Sequence, residues 1–284
     1  MKRAFFFLAI AALLLLSYGL YAAMALAPTE ATMGDVQRIF YYHLPSAWTA
    51  FLMFFLNFIF SAAYLVRPSP RKDALAVAAA EVGVVFCTVV LVTGPIWARP
   101  VWGIWWTWDA RLTTTLVLWL IYVSYLVLRH YSTGSATPKL AAALAIFGFV
   151  DVPIVYMSIR WFRTQHPSPV IAGGQGSGLA PAMWHVLLIN LAAWLLFGLL
   201  VMWLRYQIER YQQQLNERAA LLAVSQGTGA GAAMAVLPVA LDPKVRFLYA
   251  AYFAAWTIHL LYLIYLLRKI GRLRAESEEL RRSG

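Results

Sequence analysis

The stretch ALAVAAAEVGVVFCTVVLVTGPIW, residues 74–97, decides the fold of this chain. It runs for 24 residues with a single ionisable carboxylate, Glu81. Coiled as an α-helix at about 1.5 Å per residue it would reach about 36 Å, enough to cross a hydrocarbon layer of about 30 Å. Lipid offers the backbone no hydrogen-bond partners, so such a segment satisfies its amides internally, as a helix.

Five further runs share this character, at residues 4–27, 44–66, 112–128, 140–159 and 182–204. Hydrophobic residues make up 62% of the 284-residue chain and charged residues 12%, with a mean hydropathy of +0.68. Soluble domains carry about 25% charged residues. The fold class is therefore all-α, a polytopic membrane helix bundle of six core transmembrane helices plus one or two at the C-terminus. The first run follows Met1-Lys2-Arg3 and contains Ala23-Met24-Ala25, which looks like a signal-peptide cleavage site. Its apolar length exceeds the roughly 7 to 15 residues of a signal core, so a retained helix is expected.

A formal charge of +11 could point to nucleic acid, but the basic residues cluster beside the apolar runs, where they act as topology signals. Lys2, Arg3, Arg67, Arg71, Lys72, Arg129, Lys139, Arg205, Arg210 and Arg218 fall at one set of ends, ten against the five of Arg38, Arg99, Arg111, Arg160 and Arg163. The richer side is expected to be cytoplasmic. Cys87, the only cysteine, lies in an apolar run and is expected to be inert packing.

Beyond residue 205 the pattern changes. Residues 206–245 read as a linker, polar and helical over 206–218, then uncharged and rich in small residues over 219–241. Residues 246–284 read as a further transmembrane helix with a basic tail, Arg268-Lys269-Ile270-Gly271-Arg272-Leu273-Arg274. If the sixth and last helices both end on the basic-rich side, the chain must cross between them, and 219–241 is long enough. Its Gln226-Gly227-Thr228-Gly229-Ala230-Gly231 core is poor helix material, so a flexible linker stands beside the crossing as an expectation.

The chemistry concentrates in the outer loop at residues 97–113. Trp102-Gly103-Ile104-Trp105-Trp106-Thr107-Trp108-Asp109-Ala110-Arg111-Leu112-Thr113 places four tryptophans within seven residues. Interfacial belts use tryptophan too, and Trp48, Trp119, Trp194, Trp203 and Trp256 read that way. A belt needs one or two rings per helix end, whereas Trp102, Trp105, Trp106 and Trp108 make a continuous shelf edged by Asp109 and Arg111. Such a shelf suits a planar amphipathic ligand with acidic groups. His43 and His166 flank this loop in sequence, and two neutral imidazoles from opposite sides would complete a six-coordinate haem iron. A hydrogen-bonded interfacial histidine is the other reading of each. His130 reads as solvated, and His185 and His259 as satisfied intramembrane residues. Glu81 and Asp151 lie inside spans, where a carboxylate either positions helices or lines a polar route.

WGIWWTWDARLT at 102–113 resembles the WWD signature of haem-handling membrane proteins. RIFYYHLPSA around His43, LVTGPIWARP at 91–100 and VDVPIVYMSIRWFRTQHP ending at His166 are similar to its CcmC branch, the haem exporter C family of cytochrome c maturation. The likeness covers roughly residues 5 to 205. It implies that His43 and His166 are external axial ligands of haem b and that the WWD loop holds the porphyrin. Of the outer arginines Arg99, Arg111, Arg160 and Arg163, each of which could instead contact lipid headgroups, Arg111 within the signature and Arg99 just before it are the expected bidentate donors to the propionates. The resemblance further implies a non-enzymatic protein of the bacterial inner membrane that, with CcmA- and CcmB-type ABC-transporter subunits and CcmD, loads haem onto a CcmE-type chaperone. Residues 247–256, FLYAAYFAAW, and the basic tail resemble CcmD itself, which would make this chain a fusion supplying that function in cis. Two other readings remain open here: a bis-His membrane cytochrome b, using for example His185 with His259, and a CcsA-like haem ligase.

Overall fold

Local chemistry sets the helix boundaries in the computed structural model, which describes residues 2–132, 134–167, 169–170 and 179–226, and then 257–262, 264–265, 268, 271–272 and 280. Helix α1 (Lys2–Tyr21) ends in a π-turn (Ala22–Leu26), and a 3-10 turn (Asp35–Ile39) leads into α2 (Phe40–Val66). Then follow α3 (Pro70–Trp102), α4 (Ala110–Tyr131), α5 (Thr137–Phe149), α6 (Asp151–Trp161) and α7 (Pro181–Gln226). No strand occurs among the described residues. The helices supply six segments long and apolar enough to cross a membrane, as the six runs predict. A short C-terminal helix is described at 257–262.

The α2–α3 hairpin is the centre of the bundle. Ser69 caps α3 by accepting the Lys72 N–H at 3.3 Å, with Pro70 in the first turn, where its missing N–H costs nothing. The Lys72 ammonium donates to the carbonyls of Ala63 at 2.8 Å and Arg67 at 2.6 Å, closing the end of α2. Helix α2 packs on α3, α5 and α7, α3 also packs on α4 and α7, and α1 lies against α7. Gly83 permits a close approach, since a Cβ there would come within 2.6 Å of the Phe54 ring. Phe54 in turn stacks on Tyr122 of α4 at 3.9 Å between centroids. On the outside, Phe6, Phe7, Leu13 and Leu14 of α1 stay exposed, as side chains facing lipid do.

Three features depart from the simple run-by-run reading. Residues 140–159 form two helices rather than one, broken at Val150, because Pro153 has no N–H for the Phe149 carbonyl and its ring crowds that oxygen. Trp194 is 1% exposed and Trp119 donates its indole N–H to Thr88 Oγ1 at 2.8 Å, so both are core residues and not interfacial belt. Helix α7 runs on without interruption to Gln226, so the segment from 206 to 226 is helical. Most of the expected crossing at 219–241, and Trp256, lie outside the described residues.

Two charge clusters inside the bundle are paired. Glu81 Oε2 meets the Arg205 guanidinium at 2.6 Å, Arg205 meets Glu209 at 2.7 Å, and the Tyr262 hydroxyl donates to Glu81 Oε1 at 3.0 Å. This joins α3, α7 and the C-terminal helix. Asp73 and Arg129 form a two-pronged pair, both contacts at 2.7 Å, between α3 and α4. Asp151, the other intramembrane carboxylate, opens α6 and is 9% exposed, and its Oδ2 has no hydrogen-bond partner among the described residues.

Removing one member of a buried pair strands the other charge, at a cost of about 3–5 kcal/mol, whereas replacing both members costs far less. Arg205→Ala is therefore expected to lower the detergent thermal midpoint sharply. The triple variant Glu81→Gln/Arg205→Met/Glu209→Gln, which leaves neither carboxylate stranded, should recover most of that loss in the same melting measurement.

Candidate functional site

The connections α1–α2, α3–α4 and α6–α7 meet at one end of the bundle, where a cavity of about 340 Å³ opens. Phe51, Val90, Leu91 and Ile159 form apolar walls, and His43, Trp97, Trp102, Trp106, Arg111 and His166 gather around the upper part. The lining reaches down to Thr115 and Cys87. Cys87 sits about 10 Å below Gly94 along α3, at about 1.5 Å per residue. The expected packing cysteine is thus buried and also forms part of the cavity wall.

Both histidines present the same nitrogen. His43 stands in the first turn of α2 with Nδ1 2.8 Å from Thr93 Oγ1. The Thr93 hydroxyl donates its own proton to the Val89 carbonyl at 2.7 Å, the back-bonding common for threonine in helices. Thr93 can then only accept from His43, which assigns the imidazole proton to Nδ1 and leaves the Nε2 lone pair free to bind a metal. His166 lies just past α6, with Nδ1 3.0 Å from the Pro167 carbonyl. A carbonyl only accepts, so here too Nδ1 donates and Nε2 keeps its lone pair. Burial, reinforced by the Arg111 charge, lowers the His166 pKa to about 4. This imidazole is neutral at pH 7.

The tryptophan loop divides into two parts. Gly103 adopts φ +78°, a left-handed conformation that ends α3 and turns the chain into the loop. Trp102 and Trp106 line the cavity. Trp105 and Trp108 are 51% and 76% exposed and lie outside the lining. Asp109 is the N-cap of α4, accepting the Leu112 N–H at 2.9 Å. Arg111 lines the cavity while its Nη1 donates to the Val155 carbonyl of α6 at 2.9 Å. Arg99 is exposed, bonded to the Gly103 carbonyl, and outside the lining. The structure therefore brings His43, His166, Trp102, Trp106 and Arg111 together and sets Trp105, Trp108, Asp109 and Arg99 apart.

Two residues overlooked in the sequence also belong to the site. Trp97, read there only as the end of a span, lines the cavity and packs edge-on to His43 at 5.8 Å. The indole nitrogens of Trp97 and Trp106 are buried without an acceptor among the described residues, an arrangement suited to a ligand carrying acceptor groups. Thr93 is the other. Its signal was a hydroxyl within an otherwise apolar run, which alone says nothing about a partner.

His185 and His259 do not come together as a pair. His185 is exposed in the first turns of α7, whereas His259 is buried against Trp194, nine residues or about 13 Å further along α7, and bonded to Tyr42.

Residues 1–221 match the family model described as "Heme exporter protein C". The chain is similar to the Heme exporter protein C of Bradyrhizobium diazoefficiens, 35% identical over 79% of this chain and 87% of that protein. It is likewise similar to the proteins of that name from Haemophilus influenzae, 32% identical over 72% of this chain and 81% of that one, and Escherichia coli K12, 33% over 69% and 77%.

The tautomer assignment is open to a direct check. Thr93→Val keeps the volume and removes the acceptor for His43 Nδ1, so nitrogen NMR of the labelled protein should show His43 passing from one tautomer to a mixture. Thr93→Ser should retain the single tautomer.

Proposed function

The chain belongs to the haem exporter protein C family, and from that premise we propose that it binds haem b in the cavity between His43 and His166 and delivers it to a CcmE-type chaperone. The family places it in haem handling for cytochrome c maturation. The observation that carries the finer reading is the pair of imidazoles, each donating through Nδ1 and holding Nε2 free beside one cavity. Bound haem would take one imidazole on each face of its iron. Trp102 and Trp106 would flank the porphyrin, with Trp97 and Trp106 as indole donors and Arg111 as the cation nearest its acidic edge. Trp105, Trp108, Asp109 and Arg99 would act around the mouth and not within the cavity.

The excess of Lys and Arg at the opposite end supports an extracytoplasmic cavity in the bacterial inner membrane. On this reading the protein makes and breaks only axial bonds to the iron and no covalent bond of the porphyrin, so its role is transport and not catalysis. His43 and His166 are the only histidines lining the cavity among the described residues, which favours a trafficking protein over a ligase with further intramembrane histidines. The separation of His185 from His259 disfavours the cytochrome b reading. Partners on this reading are CcmA- and CcmB-type ABC subunits. The docking of the C-terminal helix through Tyr262 and His259 supports a CcmD-like role in cis.

Purified protein supplied with haem is expected to show a six-coordinate absorption spectrum. His43→Ala and His166→Ala should each weaken haem retention and lower cytochrome c yield, while His130→Ala, at the far end of α4, should do neither. Equal haem content in all three variants would overturn the assignment.

Acid supplies a second test. Protons and iron compete for His166 Nε2, and with the pKa lowered to about 4 the proton loses that competition over most of the range. The spectrum should be constant from about pH 8 to about 6 and decay only at the acid end of the interval from about 6 to about 4 or below it, because iron holds the lone pair against the proton. Because the folded pKa lies below the unfolded value, the haem-free protein should also lose stability as pH falls through that lower interval.

A further inference from the structure

The two imidazoles are suspended differently. His43 is part of a helix and is backed by Thr93 on the adjoining one. His166 follows α6 in an irregular connection, and its main-chain N–H donates to Thr164 Oγ1 at 3.0 Å. The Thr164 hydroxyl donates to Asp109 Oδ2 at 2.6 Å, while Asp109 Oδ1 accepts the Leu112 N–H at 2.9 Å. The proton order is forced: a carboxylate only accepts, so the Thr164 proton goes to Asp109 and its lone pair is left for His166. One carboxylate of the tryptophan loop thus caps α4 with one oxygen and ties down the His166 segment with the other. The tie is short and charge-assisted, the strong kind of hydrogen bond.

From this chain of contacts we infer that Thr164 and Asp109 are positioning residues for His166, holding its imidazole over the cavity, and that loss of their tie frees His166 while His43 stays in place. The inference rests on the reading of His166 as an iron ligand. It gives Asp109 a role that does not require contact with the porphyrin, in keeping with its place outside the lining. It also makes the two ligands unequal in their support: one is borne by a helix and the other hangs on the Thr164–Asp109 tie.

Thr164→Val keeps the side-chain volume and removes both bonds, and Thr164→Ser keeps both. Asp109→Asn keeps an oxygen to cap α4 but turns an amide N–H donor toward Thr164 in place of its acceptor. With ferric haem, wild type and Thr164→Ser should be six-coordinate and low-spin. Thr164→Val and Asp109→Asn should show a five-coordinate, high-spin fraction that added imidazole converts back. Their haem loss to apomyoglobin should be faster by about tenfold, the value of one charge-assisted hydrogen bond. In the haem-free protein, amide hydrogen exchange at His166 should rise in Thr164→Val and not in Thr164→Ser. If Thr164→Val fails to fold, Asp109→Asn carries the same expectations. A His166→Ala spectrum identical to wild type would remove the ligand reading. A changed His166→Ala spectrum, with Thr164→Val or Asp109→Asn indistinguishable from wild type, would overturn the positioning role alone.

Discussion

A polar group inside hydrocarbon has no water to replace a missing partner, and this constraint governs the scaffold and the cavity alike. Across much of the scaffold such groups reach a neighbouring helix, with Asp151 Oδ2 an exception among the described residues. Asn57 donates to the Ala76 carbonyl at 2.8 Å, Asn190 to the Gly19 carbonyl at 3.0 Å, and Trp119 to Thr88. Glu81 and Asp73 find arginines on other helices. Around the cavity the pattern reverses. The indole nitrogens of Trp97 and Trp106 lack acceptors among the described residues, and the free lone pairs of two imidazoles lie nearby. Polar capacity that the scaffold consumes is kept in reserve at one end of the bundle.

Much of this could be read from the chain alone, for reasons that differ from residue to residue. The spans were legible because length and lack of charge are sufficient conditions for a membrane helix. The break at Val150 was hidden because hydropathy does not register that Pro153 lacks an amide proton. Arg205 was read as a topology signal at a helix end, yet it is 4% exposed and paired with Glu81 on α3. Its partner lies 124 residues away, beyond the reach of any local pattern.

The site shows the same division. His43, His166, Trp102, Trp106 and Arg111 converge as their motifs suggest, because the loops that carry them share one end of the bundle. Four tryptophans within seven residues suggest one surface, but Trp102 ends α3 and the short loop after it points its side chains in different directions, so Trp102 and Trp106 line the cavity while Trp105 and Trp108 remain exposed. Asp109 looked like the rim of a binding shelf because it is charged and adjacent. Its position at the start of α4 instead commits it to backbone amides, a competition that a motif cannot display.

Helix α7 adds a mechanical property to this chemistry. Its 46 residues make a rod of about 69 Å, more than twice the hydrocarbon thickness, and after Pro181 it contains no proline to bend it. One end stands beside the rim residues Pro169 and Val170, and a rod of that length overreaches a bilayer at the other. With no proline to hinge it, such a lever would carry a tilt applied near Gln226 toward the mouth of the cavity.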